Sequence, residues 1–247
     1  MKSILITGCN RGLGLGLVRK LVTEQTSPKC IMVTCRNLEK ATELQEIANK
    51  NSNVHILQLD VQKTETFDKF FENVEKLVKD DGLNVLFNNA AYSPKSTRIN
   101  FVKTEQMLQT FSINTVGPLM LTKALLPLLQ KAASKNSNQP LGINRSAVIN
   151  MSSYLGSISL NNIGGLYPYR CSKAALNMVT KTLSVDLKKD GILVTAIHPG
   201  WVKTDLGGSN APMDVDTSVN SIINLMKILS VEHNGAFYTW EGKPMDW

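Results

Sequence analysis

The chain has 247 residues, 43% of them hydrophobic and 19% charged, with four cysteines and a formal net charge of +7. That length suits one domain, residues 1–247, and the hydrophobic share is ordinary for a soluble globular protein. The cysteines have no zinc-ligand spacing, the basic residues are spread out without an aromatic-interleaved run, and no apolar run reads as long enough to span a bilayer, so no metal, nucleic acid or membrane partner is expected.

Met1-Lys2 leads straight into an apolar run, Ile4-Leu5-Ile6, which leaves no room for a signal peptide and sets the expectation of a cytoplasmic protein. That run reads as a buried parallel strand over Ser3–Thr7. Gly8, Gly12 and Gly14 follow it, and then an amphipathic segment reads as a helix over Gly14–Glu24. A strand, a glycine turn and a helix N-terminus form an anion site from backbone N–H groups and the helix dipole. The spacing, Gly-x-x-x-Gly-x-Gly, is neither the common dinucleotide fingerprint nor a P-loop.

The second strand, Ile31–Cys35, ends at Arg36. In sheets that bind NAD an acidic residue near this point holds the ribose 2′-hydroxyl. Here there is none, and Arg36 and Arg11 offer two guanidinium groups suited to a 2′-phosphate, so the expected cofactor is NADP(H). Further strands are predicted at Val54–Gln58, Val85–Asn88, Ala147–Met151, Leu193–His198 and Ala236–Tyr238. Helices are predicted at Leu38–Asn49, Thr66–Lys79, Thr104–Leu129, Tyr169–Lys188 and Thr217–Leu229. Alternating strands and helices predict an α/β fold, a Rossmann-type doubly wound parallel sheet of about seven strands with helices on both faces. The polar stretch Ala132–Arg145 reads as a surface loop. Pro118 and Pro127 lie inside the Thr104–Leu129 helix and are expected to bend it near Asn114.

Tyr169 and Lys173 stand one helical turn apart on one face, where an ammonium favours the ionised form of a phenol. Tyr167 is a rival phenol, but position 171, four residues on, is Cys.

Taken in order, these motifs resemble the classical short-chain dehydrogenase/reductase family along nearly the whole chain. Thr7-Gly8-Cys9-Asn10-Arg11-Gly12-Leu13-Gly14 is similar to its cofactor glycine motif. Asp60-Val61 resembles its adenine-contacting pair, and Asn88-Asn89-Ala90-Ala91 its Asn-Asn-Ala-Gly motif. Asn114, Ser153, Tyr169 and Lys173 match its catalytic tetrad, and Pro199-Gly200-Trp201-Val202-Lys203-Thr204 its nicotinamide-side motif. The glycine run, the segment His198–Asp205, the polar insert near Lys135–Asn144 and the ending Asp246-Trp247 are similar to sniffer-type carbonyl reductases.

The resemblance implies that Gly8, Asn10, Arg11, Gly12, Leu13, Gly14, Arg36, Asp60, Val61, Asn89, Ala90, Tyr169, Lys173, Pro199, Gly200, Val202 and Thr204 hold the cofactor. In the reaction it implies, Ser153 hydrogen-bonds the carbonyl oxygen, Tyr169 donates the proton, Lys173 lowers the Tyr169 pKa and Asn114 orders a water toward Lys173. It also implies a homodimer and a protective role against oxidative stress.

Two departures stand out. Ala91 replaces the family's Gly, and sixteen positions separate Ser153 from Tyr169, more than is usual. The extra residues fall in Ser159–Gly165, which reads as a longer loop beside the pocket. Ser152 is the rival of Ser153, which is preferred because Gly156 follows at the family's offset. Tyr92, Tyr154, Trp201 and Leu206 are candidate walls of an apolar pocket under a lid at Trp201–Val219.

The expected function is NADPH-dependent reduction of aldehydes, ketones or quinones, with a small-molecule carbonyl as partner. The alternatives are an NADP-dependent alcohol or steroid dehydrogenase and a non-catalytic NADP(H)-sensing protein.

Overall fold

Seven short runs rich in branched apolar residues pair into one sheet in which every strand is parallel to its neighbours: β1 (Ser3–Ile6), β2 (Cys30–Cys35), β3 (Val54–Gln58), β4 (Val85–Asn88), β5 (Ala147–Met151), β6 (Leu193–His198) and β7 (Phe237–Thr239). The structure, a computed structural model, describes residues 1–94 and 98–247. The strand order is β3-β2-β1-β4-β5-β6-β7. The winding reverses between β1 and β4, and the crevice beyond the carboxyl ends of those strands is where such sheets bind ligands.

Because side chains alternate along a strand, neighbours in sequence serve opposite cores. Ile4 and Ile6 pack with Leu17 and Val18 of α1 (Gly12–Thr23) and Ile222 and Met226 of α7 (Val215–Ile228). Leu5 packs on the other side with Phe70 and Val74 of α3 (Phe67–Val78) and Leu125 and Leu129 of α5 (Gly117–Lys135). Both faces are covered, which is why the strands read as continuous apolar runs. The remaining helices are α2 (Thr42–Lys50), α4 (Thr104–Phe111) and α6 (Tyr167–Asp186), and α4 packs on α6.

Several expectations need correction. The helix predicted from Leu38 begins only at Thr42. The helix predicted over Thr104–Leu129 is two helices joined by a π-helical turn, Ser112–Val116. The π turn contains Asn114 and directly precedes Gly117 and Pro118, so the distortion expected near Asn114 is present, and Pro118 and Pro127 both lie within the continuous helical segment Thr104–Lys135. Finally, Ala132–Arg145 is not all surface loop. Ala132 and Ala133 belong to α5 and are fully buried, and Ile143 is 8% exposed. The continuous segment Thr104–Lys135 is apolar and long enough to cross a membrane, contrary to the sequence reading, but 56% of its most apolar window is buried inside the protein, as in a core helix.

Candidate active site

At the carboxyl ends of β1 and β4 the chain is locked by one threonine. The Thr7 hydroxyl accepts from the backbone N–H groups of Asn89 and Ala90, both at 3.0 Å, and the Asn89 side chain donates to the carbonyls of Thr7 and Gly8. Gly8 and Gly12 take the left-handed region, with φ of 71° and 56°. A Cβ on Gly14 would lie 2.3 Å from the Gly8 carbonyl oxygen, so the loop closes only because that position is glycine. The loop delivers the N-terminus of α1, whose first turn carries no acidic residue, to the rim of a cleft of about 230 Å3.

Most of the predicted cofactor residues line this cleft: Gly8 and Asn10 to Gly14 at one end, Arg36, Asp60 and Val61 under the adenine-side wall, Asn89 and Ala90 in the middle, and Tyr169, Lys173, Pro199 and Thr204 at the other end. Two do not. Gly200, with φ of 87°, packs against Met213 and Trp240, and Val202 is 4% exposed and bridges to Met213. Both lie behind the wall, where a Cβ on Gly200 would meet Met213 at 2.9 Å. Ala91 lies on the lining itself. Sequence reasoning missed Asp205, also on the lining, which forms an ion pair with Arg11 across the cleft. A pair 194 positions apart leaves no periodic signal in a sequence.

The tetrad residues converge from three elements. Asn114 is fully buried in the π turn. Its amide donates to the Tyr92 carbonyl at 2.8 Å and to the Ser172 hydroxyl at 3.0 Å, and its oxygen accepts from the Tyr92 N–H at 2.8 Å. Ser172 in turn donates to the Tyr169 carbonyl at 2.8 Å, so the side chain of Asn114 ties α6 to the segment after β4. Ser153 follows β5 and caps a one-turn helix, Tyr154–Gly156, by accepting from the Leu155 N–H. Its rival Ser152 is tied off, donating to Asn177 at 2.6 Å. Tyr167 is 38% exposed at the helix start, whereas Tyr169 is 7% exposed and on the cleft.

The electrostatics differ from the expected picture. Burial pushes the Tyr169 phenol up to about 12, and a hydrogen bond with Ser153 offsets this only in part. Burial also pushes the Lys173 ammonium down to about 7. Its Nζ lies 5.7 Å from the centre of the Tyr169 ring and donates to the Met151 carbonyl at 2.7 Å. In the protein by itself, burial favours the neutral form of both side chains. The carbonyl that Lys173 reaches is that of Met151, at the end of β5, while the Asn114 amide donates to Tyr92 and Ser172.

Of the four pocket candidates, Tyr92 and Leu206 line the cleft. Trp201 is 56% exposed, its indole N–H donating to the Gly207 carbonyl. Tyr154 turns away to donate to the Leu160 carbonyl at 3.0 Å. Its ring lies 6.3 Å from that of His198, which meets Trp240 edge-on at 5.8 Å. Burial pushes the His198 imidazole down to about 4, so this ring is neutral at pH 7. Cys9 is fully buried and its thiol is pushed up by burial, which speaks against reactivity there; Cys171 is exposed.

Residues 2–214 match the family model described as short chain dehydrogenase. Among solved structures, the chain is similar to the carbonyl reductase Sniffer of D. melanogaster, with 53% identity, a TM-score of 0.99 and all of both chains covered. It is similar to an NADPH-bound carbonyl reductase from chicken fatty liver, with 39% identity, a TM-score of 0.94, and 100% of this chain and 99% of that one covered. A third similarity is to the putative carbonyl reductase Sniffer of Caenorhabditis elegans, at 40% identity and a TM-score of 0.91, with 100% of this chain and 99% of that one covered.

Proposed function

The chain belongs to the short-chain dehydrogenase family and is an NADP-dependent oxidoreductase, and on that premise we propose that it reduces the carbonyl group of aldehydes, ketones or quinones with NADPH. The observation that carries this reading is that buried Tyr169 and Lys173 stand on the same cleft as the glycine loop.

The residues fit a phosphorylated dinucleotide. The α1 N-terminus and the glycine loop supply N–H donors for a pyrophosphate, and Arg36 and Arg11 supply positive charge beside Asp60 and Val61. Hydride is what the nicotinamide contributes when bound. The protein's part is to take charge of the oxygen. As hydride reaches the carbonyl carbon, the C=O π bond breaks and the oxygen becomes negative. Ser153 donates a hydrogen bond to it, and the Tyr169 phenol transfers its proton to it, giving the alcohol. A phenol held near 12 keeps its proton until that oxyanion forms. Negative charge in the cleft favours the ammonium form of Lys173, which then stabilises the tyrosinate left behind, and a proton from solvent restores the phenol. Asn114 positions this machinery by joining α6 to the Tyr92 backbone.

The test is NADPH oxidation by the purified protein against a panel of quinones, aldehydes, ketones and steroids, with NADH and Tyr169→Phe as controls. Turnover with NADPH that Tyr169→Phe abolishes, with NADPH binding retained, is the expected result. Wild-type rates in Tyr169→Phe would overturn the assignment of the acid.

Two further parts of the reading are a homodimer and a cytoplasmic home. The first is supported by exposed Leu108 on α4 and exposed Met178 and Val185 on α6, an apolar face on two packed helices that a second copy would cover. Solution mass at working concentration decides it. The second is supported by four free cysteines, as in a reducing compartment. Cell fractionation tests it.

A further inference from the structure

The residues between Gly156 and α6 connect one half of the candidate active site to the other. Ser153 lies just before this stretch and Tyr169 just inside the helix after it. Its first half is held firmly. The Ser157 N–H donates to the Tyr154 carbonyl, the Leu160 N–H donates to the Ser157 hydroxyl, and the Tyr154 phenol donates to the Leu160 carbonyl. Ser159 gives both its N–H and its hydroxyl, each at 3.1 Å, to one acceptor, the carbonyl oxygen of Trp247.

Trp247 is itself anchored to the sheet. Its ring stacks on Phe237 of β7, with centroids 5.6 Å apart and planes 16° apart, and Phe237 is 1% exposed. The Met245 N–H donates to the Phe237 carbonyl at 2.8 Å, which fixes the chain leading to Trp247. Residues almost ninety positions apart therefore hold the base of the loop against the edge of the sheet.

The second half is built differently. Gly164 and Gly165 take φ of 70° and 68°, and a Cβ on either would meet nothing within 4 Å. Leu166, also in the left-handed region, then turns the chain into α6. Two isoleucines stand out on this loop, Ile158 on the fixed half at 77% exposure and Ile163 beside the glycines at 81%. One exposed isoleucine is unremarkable, but here two stand on the single loop that joins Ser153 to the helix of Tyr169.

We propose that Trp247 is a specificity-determining positioning residue, which pins Ser159 so that Ile158 and Ile163 cover the apolar part of a bulky carbonyl substrate. This deepens the reductase reading and rests on it. A small carbonyl held by Ser153 and Tyr169 does not reach the isoleucines and is indifferent to the loop. A substrate carrying a fused aromatic or long alkyl group gains the contact. Neutral His198, between Tyr154 and Trp240, gives the base of the loop an uncharged aromatic backing.

The experiment compares KM and kcat for propionaldehyde and naphthaldehyde, at saturating NADPH, in wild type, Trp247→Gly, Trp247→Phe and Ile163→Ser. Ile163 is exposed, so its replacement leaves folding intact and guards against a Trp247→Gly protein that folds poorly. The expected result is a rise of about fivefold in KM for naphthaldehyde in Trp247→Gly and Ile163→Ser, on the order of partial burial of one isoleucine. KM for propionaldehyde, kcat and NADPH affinity stay put, and Trp247→Phe, which keeps the stack, behaves as wild type. Equal losses for both aldehydes, an unchanged ratio of KM values, or a wild type that takes propionaldehyde and rejects naphthaldehyde overturns this inference alone. A wild type inert toward every carbonyl sinks the reductase reading instead.

Discussion

Gly156→Ala is the sharpest perturbation of the catalytic geometry. A Cβ there would sit 2.7 Å from the Lys173 Cβ, 2.9 Å from its carbonyl carbon and 3.1 Å from its carbonyl oxygen. Comfortable carbon–carbon contact begins near 3.5 Å, so the turn carrying Ser153 and the helix carrying Tyr169 and Lys173 must part by ~1 Å. No flexible side-chain end is available to absorb the clash. Overpacking of this kind costs about 1–3 kcal/mol, a fall of several degrees in Tm for a chain of this size. The catalytic cost is larger, because a displacement of ~1 Å between reacting groups costs about 100-fold in rate. Gly16→Ala is the control. Its Cβ would meet Val215 Cγ1 at 2.5 Å and Val219 Cγ2 at 3.1 Å, at the contact of α1 with α7. It should lower Tm comparably and leave kcat nearly unchanged. The assay is kcat at saturating NADPH beside thermal unfolding. Wild-type kcat in Gly156→Ala at a lowered Tm, or equal kcat losses in the two variants, would refute the reasoning.

Two further outcomes are expected. Lys173 has a pKa of about 7 when folded against 10.5 when free, so between these values the unfolded chain holds a proton that the folded chain has lost. This group therefore makes stability rise as pH climbs from about 7 to about 10.5, and Lys173→Met should flatten that rise in urea titrations; an unchanged slope would remove Lys173 as its source. Arg36→Asp should raise KM for NADPH by about tenfold or more through loss of a charged partner and spare NADH, and equal losses with both cofactors would show that Arg36 does not read the 2′-phosphate.

The sheet was legible in the sequence almost to the residue. The five inner strands are buried on both faces and read as apolar runs, while the edge strands β3 and β7 are only partly buried. Helix ends were less legible. The Asn37 side chain accepts from the Lys40 N–H in a turn that delays α2 to Thr42, and Pro118 marked a distortion near Asn114 without specifying a π turn. For the site, the residues brought together were legible because motifs keep their order along the chain. Their electrostatics were not. The spacing of Tyr169 and Lys173 says that they share a face, but only packing reveals that both are desolvated and that Lys173 is spent on Met151. The Arg11–Asp205 pair and the Ser159–Trp247 contact are likewise products of tertiary closure.

The Arg11–Asp205 pair has a kinetic consequence. Its side chains are 65% and 70% exposed, so added salt weakens it and loosens the mouth of the cleft. The same salt screens the attraction between a chain of net charge +7 and an anionic dinucleotide. One effect speeds entry and the other slows encounter. The association rate of NADPH should accordingly fall less steeply with ionic strength in this protein than in Asp205→Asn, where only the screening of encounter remains.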